Sequence, residues 1–164
     1  MKPTDFVTKF KPHAIKCQET TGLHYRASLV QAALESGWGE GATLFGIKDT
    51  DGVNGNEQLL TTQEVLPNKN YKFPVIISIV EFGRNFKYTI KDYFRKYSSY
   101  SEEFEDHAKF FTDNNFQQGR YKKAWNCRAD AEYFLREVAR AGYATDPLYE
   151  KKLIDTLDWF KKFS

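Results

Sequence analysis

The stretch Ala33-Leu34-Glu35-Ser36-Gly37-Trp38-Gly39, followed by Leu44-Phe45-Gly46-Ile47-Lys48, decides how the chain is read. Leu29, Val30, Ala33 and Leu34 fall on one stripe of a helix from about His24 to Ser36, and Gly37 stands where such a helix must stop. Glu35 lies beside that stripe. Its helical neighbours at i−3, i−4 and i−7 are Ala32, Gln31 and Ser28, small or polar, which places the carboxylate at the edge of the core. Partial desolvation there raises a carboxyl pKa, and Trp38 supplies an aromatic platform next to it, the surroundings of a general acid. A helix C-terminus disfavours negative charge, so the placement has a cost that a function would explain. The plain alternative is a helix-terminal glutamate on a solvated face, and these residues alone leave both readings open.

Upstream, Phe6, Val7, Phe10, Ala14 and Cys17 have helical spacing over residues 5–17, with Thr4 or Asp5 placed to cap and Thr21-Gly22 to break. Downstream, Gly37, Gly39, Gly41, Gly46, Gly52 and Gly55, with Asp49, Asp51 and Asn54, read as loop and tight turns. Strand signals follow at 58–66 and 73–82, the second with Pro74 near its start. A three-residue connection, Gly83-Arg84-Asn85, leads into alternation of Phe86, Tyr88 and Ile90 against Lys87, Thr89 and Lys91. Ser99 and Glu102 form a capping box for a helix through about Thr112. Ala131, Phe134, Leu135, Val138 and Ala139 mark another helix, stopped at Gly142. Asp146-Pro147 reads as an N-cap and first helical residue of a last helix with Tyr149, Leu153, Leu157 and Phe160 inside. The order implies an α+β fold: a mainly helical lobe, a small antiparallel β-lobe at about 58–93, and a cleft between them.

Composition narrows the function. The length of 164 residues fits a single domain, 1–164, with one core. Against 24 Lys+Arg stand 22 Asp+Glu, with no basic block, which argues against nucleic acid as a partner. No apolar run approaches the roughly 18 residues of a membrane span, and the N-terminus lacks the apolar core of a signal peptide. Cys17 and Cys127 stand alone, which excludes a structural zinc site and favours free thiols over a bridge. His13, His24 and His107 lack ligand spacing and read as surface or helix-packing residues. GxSxG, HExxH, P-loop and GxGxxG motifs are absent, so carboxylate chemistry remains.

The two quoted segments resemble the signature of the bacterial and phage endo-β-N-acetylglucosaminidases that cut peptidoglycan, the group of flagellar muramidases and autolysins. The resemblance continues through Leu60-Thr61-Thr62-Gln63-Glu64, Phe94-Arg95-Lys96-Tyr97 and Gly142-Tyr143-Ala144-Thr145-Asp146-Pro147-Leu148-Tyr149, spanning about residues 20–155. Thr43 departs from the asparagine usual before the LFGIK segment, and the hairpin at 73–93 is longer than in the shortest members. The resemblance implies a lysozyme-like fold and hydrolysis of the β-1,4 bond between N-acetylglucosamine and N-acetylmuramic acid. By motif, Glu35 would be the general acid, Glu64 the second carboxylate and Tyr143 a cleft tyrosine.

Glycoside hydrolysis needs a protonated carboxyl on one side of the bond and a second carboxylate or a substrate group on the other. Glu64 would therefore activate water, or else stabilise charge with Tyr143 while the substrate's acetamido oxygen attacks. Trp38, Phe45 and Tyr149 are candidates for sugar contact, with core packing as the rival for each. No metal or organic cofactor is required, and a monomer acting on a peptidoglycan glycan strand is expected. Its place of action would be the cell wall, reached by phage lysis, by a secretion system or after loss of a leader. A lytic transglycosylase using Glu35 alone, and a catalytically silent wall-binding or phage structural module, are the competing readings.

Overall fold

A computed structural model describes residues 1–112 and 119–164 of the chain. The expected α+β class is observed, with six helices and one three-stranded antiparallel sheet among the described residues. Two compact units form: residues 1–45 with 98–164, which hold all these helices, and residues 46–97, which hold the sheet.

In the helical unit, α1 (Pro3–Thr21) begins earlier and ends later than its apolar spacing indicates. The expected Thr4 or Asp5 cap is replaced by Lys2, which makes no side-chain cap; Pro3 takes the first turn, where its missing N–H is not needed. Gly22, at φ 79°, ends the helix. Helix α2 (Tyr25–Ser36) starts from His24, whose ring accepts the Arg26 N–H. Helix α3 (Tyr100–Phe110) carries the predicted box: Ser99 Oγ accepts the Glu102 N–H, and the Glu102 carboxylate accepts from Ser98. After the short α4 (Lys122–Asn126) come α5 (Ala131–Arg140), capped by Asp130, and α6 (Tyr149–Phe163). The N-cap of α6 is Leu148, not Asp146; Asp146 instead accepts the Leu148 N–H in the preceding turn.

Helix α2 is the centre of this unit, packed against α1, α3, α5 and α6. Burial is therefore not confined to one stripe: Ser28, Gln31 and Ala32 are as enclosed as Leu29, Val30 and Ala33, while Leu34 is only half-buried. Where α2 ends, Gly37 and Trp38 both take positive φ, 58° and 60°. For a tryptophan this is strained backbone, held by the Trp38 N–H to Ala33 O bond of 2.8 Å and by its ring against Phe6, Trp159 and Phe160. Ser36 Oγ accepts from the Gly39 N–H and donates to Ala32 O, pinning the same turn.

In the second unit the sheet order is β1 (Glu57–Leu66), β3 (Asn85–Arg95), β2 (Val75–Phe82). The predicted alternation holds on β3, whose Tyr88 and Ile90 are fully buried. Phe82 pairs with Asn85, so the hairpin loop has two residues, Gly83-Arg84, rather than three. Only Gly83 takes positive φ, the arrangement of a II′ turn matched to strand twist. Segment 47–49 joins the far end of β3 through Arg95 N to Ile47 O and Asp49 N to Tyr93 O.

Strain at Trp38 has a measurable sign. Trp38→Ala should cost about 3 kcal/mol through lost ring packing, whereas Trp38→Gly should cost about 1 kcal/mol less because glycine accepts that φ freely. Urea unfolding of the pair tests this; a glycine variant less stable than the alanine variant would remove strain from the account.

Candidate active site

Glu35 occupies the last turn of α2, where the unsatisfied carbonyls of the helix end oppose a negative charge. The residue is solvent-exposed, yet enough protein crowds its carboxyl for desolvation to raise the pKa above the usual glutamate range. One hydrogen bond works the other way: Tyr149 Oη donates to Glu35 Oε1 at 3.1 Å. The result is a carboxyl that solvent can reach, that favours holding a proton, and whose charged form still has one fixed donor.

The tyrosines beside it are protonated donors. Tyr149 opens α6 and is 8% exposed; Tyr143, in the α5–α6 connection, stacks on it with centroids 5.9 Å apart at 10°. Burial, and then the charge of Glu35, push both phenols above their ordinary value. Phe110, Phe111 and Tyr121 enclose the Tyr143 ring. Arg120 fixes the start of this connection by donating to the carbonyls of Ala141 and Gly142, each at 2.6 Å.

Behind Tyr149 the site continues inward. Gln31, one turn before Glu35, directs Nε2 to Tyr149 Oη at 3.5 Å and Oε1 to His107 Nε2 at 3.0 Å. His107 is fully buried, and desolvation pushes its pKa down to about 3. Phe45 stacks on that imidazole at 3.9 Å and is itself 3% exposed. The Leu44 N–H donates to Glu103 Oε1 at 2.6 Å, so the segment following Thr43 is held from α3 by a buried carboxylate.

Glu64 lies in the sheet unit, on β1 opposite Tyr88 of β3. Lys48 Nζ bonds Glu64 Oε1 at 2.8 Å and Asp92 Oδ2 at 3.2 Å. Burial works against the Lys48 charge, but the two carboxylates outweigh it and raise the lysine pKa. Asp92 shares the face of Glu64 because both occupy even positions of the paired strands, Asp92 opposite Leu60.

The structure thus brings Glu35, Tyr143 and Tyr149 together, and sets Glu64 with Lys48 and Asp92. Of the three candidates for sugar contact, Phe45 and Tyr149 are packed inside, in line with the core-packing alternative, and Trp38 is half-buried against α1 and α6. The physical reason is the enclosure of α2, which draws neighbouring rings into the core. His107 packs between helices as expected, but with a polar task that lone spacing does not reveal. Gln31 carried a signal, its i−4 relation to Glu35; Lys48 and Asp92 carried only their motif and strand positions. Cys17 and Cys127 are free thiols. Among the described residues no group of three or more His, Cys, Asp or Glu could hold a metal ion, and no helix is long and apolar enough to cross a membrane.

Residues 11–162 match the family profile described as Glucosaminidase, mannosyl-glycoprotein endo-beta-N-acetylglucosaminidase. The chain belongs to the glucosaminidase family. It is 35% identical over 161 residues to the peptidoglycan hydrolase FlgJ of Vibrio parahaemolyticus, covering 93% of this chain and 46% of that protein. Against FlgJ of Vibrio cholerae the identity is 33% over 150 residues, covering 91% and 41%. The chain therefore spans about half the length, or less, of these relatives. Among solved structures it is similar to the C-terminally truncated glycoside hydrolase domain of Salmonella typhimurium FlgJ, with a TM-score of 0.71, 32% identity, and coverage of 99% of this chain and 100% of that one. The catalytic domain of the autolysin Auto from Listeria monocytogenes gives a TM-score of 0.74 at 25% identity, covering 98% and 85%.

Burial of His107 ties stability of the chain to pH. The folded chain keeps this ring neutral down to about 3, while the unfolded chain takes up the proton near 6.5. Unfolding thus binds a proton in that window, and stability falls on acidification by up to about 1.4 kcal/mol per pH unit from this group. Glu35 and Glu103, both raised by burial, act in the opposite sense. His107→Gln should therefore lose less stability than the parent between pH 6.5 and pH 4, by up to about 3 kcal/mol. Parallel urea titrations at the two pH values measure it; equal losses would show that the ring is not held neutral.

Proposed function

We propose that this chain is a peptidoglycan hydrolase that cleaves the β-1,4 bond between N-acetylglucosamine and N-acetylmuramic acid in the cell wall, with Glu35 as general acid. The observation that carries the reading is the state of Glu35: accessible, raised in pKa and, among the described residues, bonded to a neutral donor at one oxygen only. In that state its other oxygen, Oε2, would deliver the proton to the glycosidic oxygen as the bond breaks. The negative charge then left on the carboxylate is met by the Tyr149 hydroxyl, already in place before the step.

Glu64 is the proposed second carboxylate. Lys48 occupies its Oε1 and leaves Oε2 to hold an attacking water or the cation-like sugar. Tyr143, kept protonated by burial, would orient the substrate near Glu35 as a hydrogen-bond donor. The relatives' names, which include peptidoglycan hydrolase and autolysin, support the wall as substrate.

Glu35→Gln keeps the shape and the Tyr149 contact but has no proton to give, so solubilisation of purified sacculi should fall at least about 100-fold with the fold intact. Glu64→Gln should lose most activity but not all. Full activity of Glu35→Gln would end the assignment. Reducing-end analysis of the released fragments identifies the bond cut, and products lighter by one water would make the chain a transglycosylase instead.

A further inference from the structure

We infer that His107 is a positioning residue for Glu35, acting through the side-chain amide of Gln31 and the hydroxyl of Tyr149. The inference rests on the reading of Glu35 as the acid and deepens it.

Three hydrogen bonds, through the side chains of Gln31 and Tyr149, connect His107 to Glu35: His107 Nε2 to Gln31 Oε1 at 3.0 Å, Gln31 Nε2 to Tyr149 Oη at 3.5 Å, and Tyr149 Oη to Glu35 Oε1 at 3.1 Å. Both inner members, His107 and Gln31, have no solvent exposure, so the direction of each bond is set by protein alone. A neutral imidazole carries one N–H. Placing it on Nε2 lets it donate to Gln31 Oε1 and leaves Nδ1, which has no partner among the described residues, as an unfilled acceptor. Placing it on Nδ1 would bury an unpaired donor, the costlier fault, and would turn the Gln31 amide around. A turned amide would present its oxygen to Tyr149 and draw the phenolic proton away from Glu35.

The Nε2–H tautomer therefore commits every donor in one direction. His107 fixes the Gln31 amide, the amide donates to Tyr149 Oη, and the one proton of Tyr149 is directed to Glu35 Oε1. Oε1 becomes a permanent acceptor, so the acid proton belongs on Oε2. Phe45 stacked at 3.9 Å and 13°, and Phe111 edge-on at 5.0 Å, hold the plane of the imidazole so that this geometry persists. Among the described residues the titratable groups acting on Glu35 are Tyr149 and Tyr143; both phenols are raised by burial and stay protonated where Glu35 titrates. Around His107 stand Gln31 and the rings of Phe45 and Phe111, which carry no charge.

The test compares His107→Phe, His107→Gln and Glu35→Gln in the whole chain, using a soluble peptidoglycan fragment and following kcat, KM and the pH profile. His107→Phe should lower kcat roughly tenfold with KM unchanged. It should also move the basic limb of the profile to higher pH, because Glu35 loses a donor to its charged form. His107→Gln, which keeps an N–H at that end, should restore most of both. A folded His107→Phe with the parent's kcat and pH profile, while Glu35→Gln is inactive, would overturn the positioning role and leave the acid standing. An active Glu35→Gln would remove the acid itself. Nitrogen-15 NMR of His107 in the unaltered protein supplies a readout that no variant has to survive: the proton should reside on Nε2, and a proton on Nδ1 would overturn the inference.

Discussion

Helix α2 is enclosed by four other helices, and a helix enclosed in that way has no solvated side on which to place polar groups. The constraint falls hardest on Ser28, Gln31 and Glu35, the polar residues of one helical face. Deep in the unit Gln31 bonds within the protein, whereas the buried Ser28 hydroxyl has no partner among the described residues. At its end, one of them can reach solvent while keeping protein around it. Gln31 and Glu35 divide between these two conditions. The amide is fully buried and bonded at both ends, and the carboxyl stands at the exposed final turn with its pKa raised. The proposed acid is thus a consequence of where the central helix stops.

Stopping it there is costly. The helix end opposes the charge of Glu35, and two successive residues of left-handed backbone, the second a tryptophan, turn the chain away at once. Ring packing of Trp38 on Phe6, Trp159 and Phe160 offsets that strain and ties the turn to both α1 and α6. Helix α6 is also the element that supplies Tyr149. The packing that makes the turn tolerable thus fixes the element carrying the donor to Glu35.

Much of this was legible in the sequence, and what was not has physical reasons. Apolar periodicity located the helices and the alternation of β3, because burial on one face leaves a period in the residues themselves. The caps of α1 and α6 were misplaced, since a proline in the first turn can start a helix without any side-chain cap, and Asp146 serves a turn instead. For α2 the single stripe was too narrow, because enclosure on all sides erases the amphipathic signal. The place of Glu35 in the last turn of α2 was readable from Gly37, the residue that stops the helix. His107 was not: it is 76 residues from its partner Gln31, and only tertiary packing brings the two together. For Phe45 and Tyr149 the sequence left sugar contact and core packing both open, since a ring near an acid motif reads the same whether it faces sugar or packs beneath the acid, and the structure buries both.

The two candidate carboxylates differ in the kind of neighbour each has, and that difference argues for their separate roles. Glu35 meets a neutral phenol, backed by a neutral amide and a neutral imidazole, so nothing in its chain of contacts supplies a positive charge. An acid that must hold its proton until the bond breaks requires this, because a cation at the same distance would strip the proton away. Glu64 instead meets Lys48, an ammonium whose own charge is secured by Glu64 and Asp92 together. That arrangement has no use in a proton donor but suits a group that faces water or a developing positive charge. Exchanging the neighbours would spoil both sites: a lysine beside Glu35 would remove the acid, and a buried phenol beside Glu64 would leave Asp92 and Glu64 to repel one another on a shared face. The charge of the residues that touch them thus supports the proposed acid at the helix end and the proposed second carboxylate on the strand.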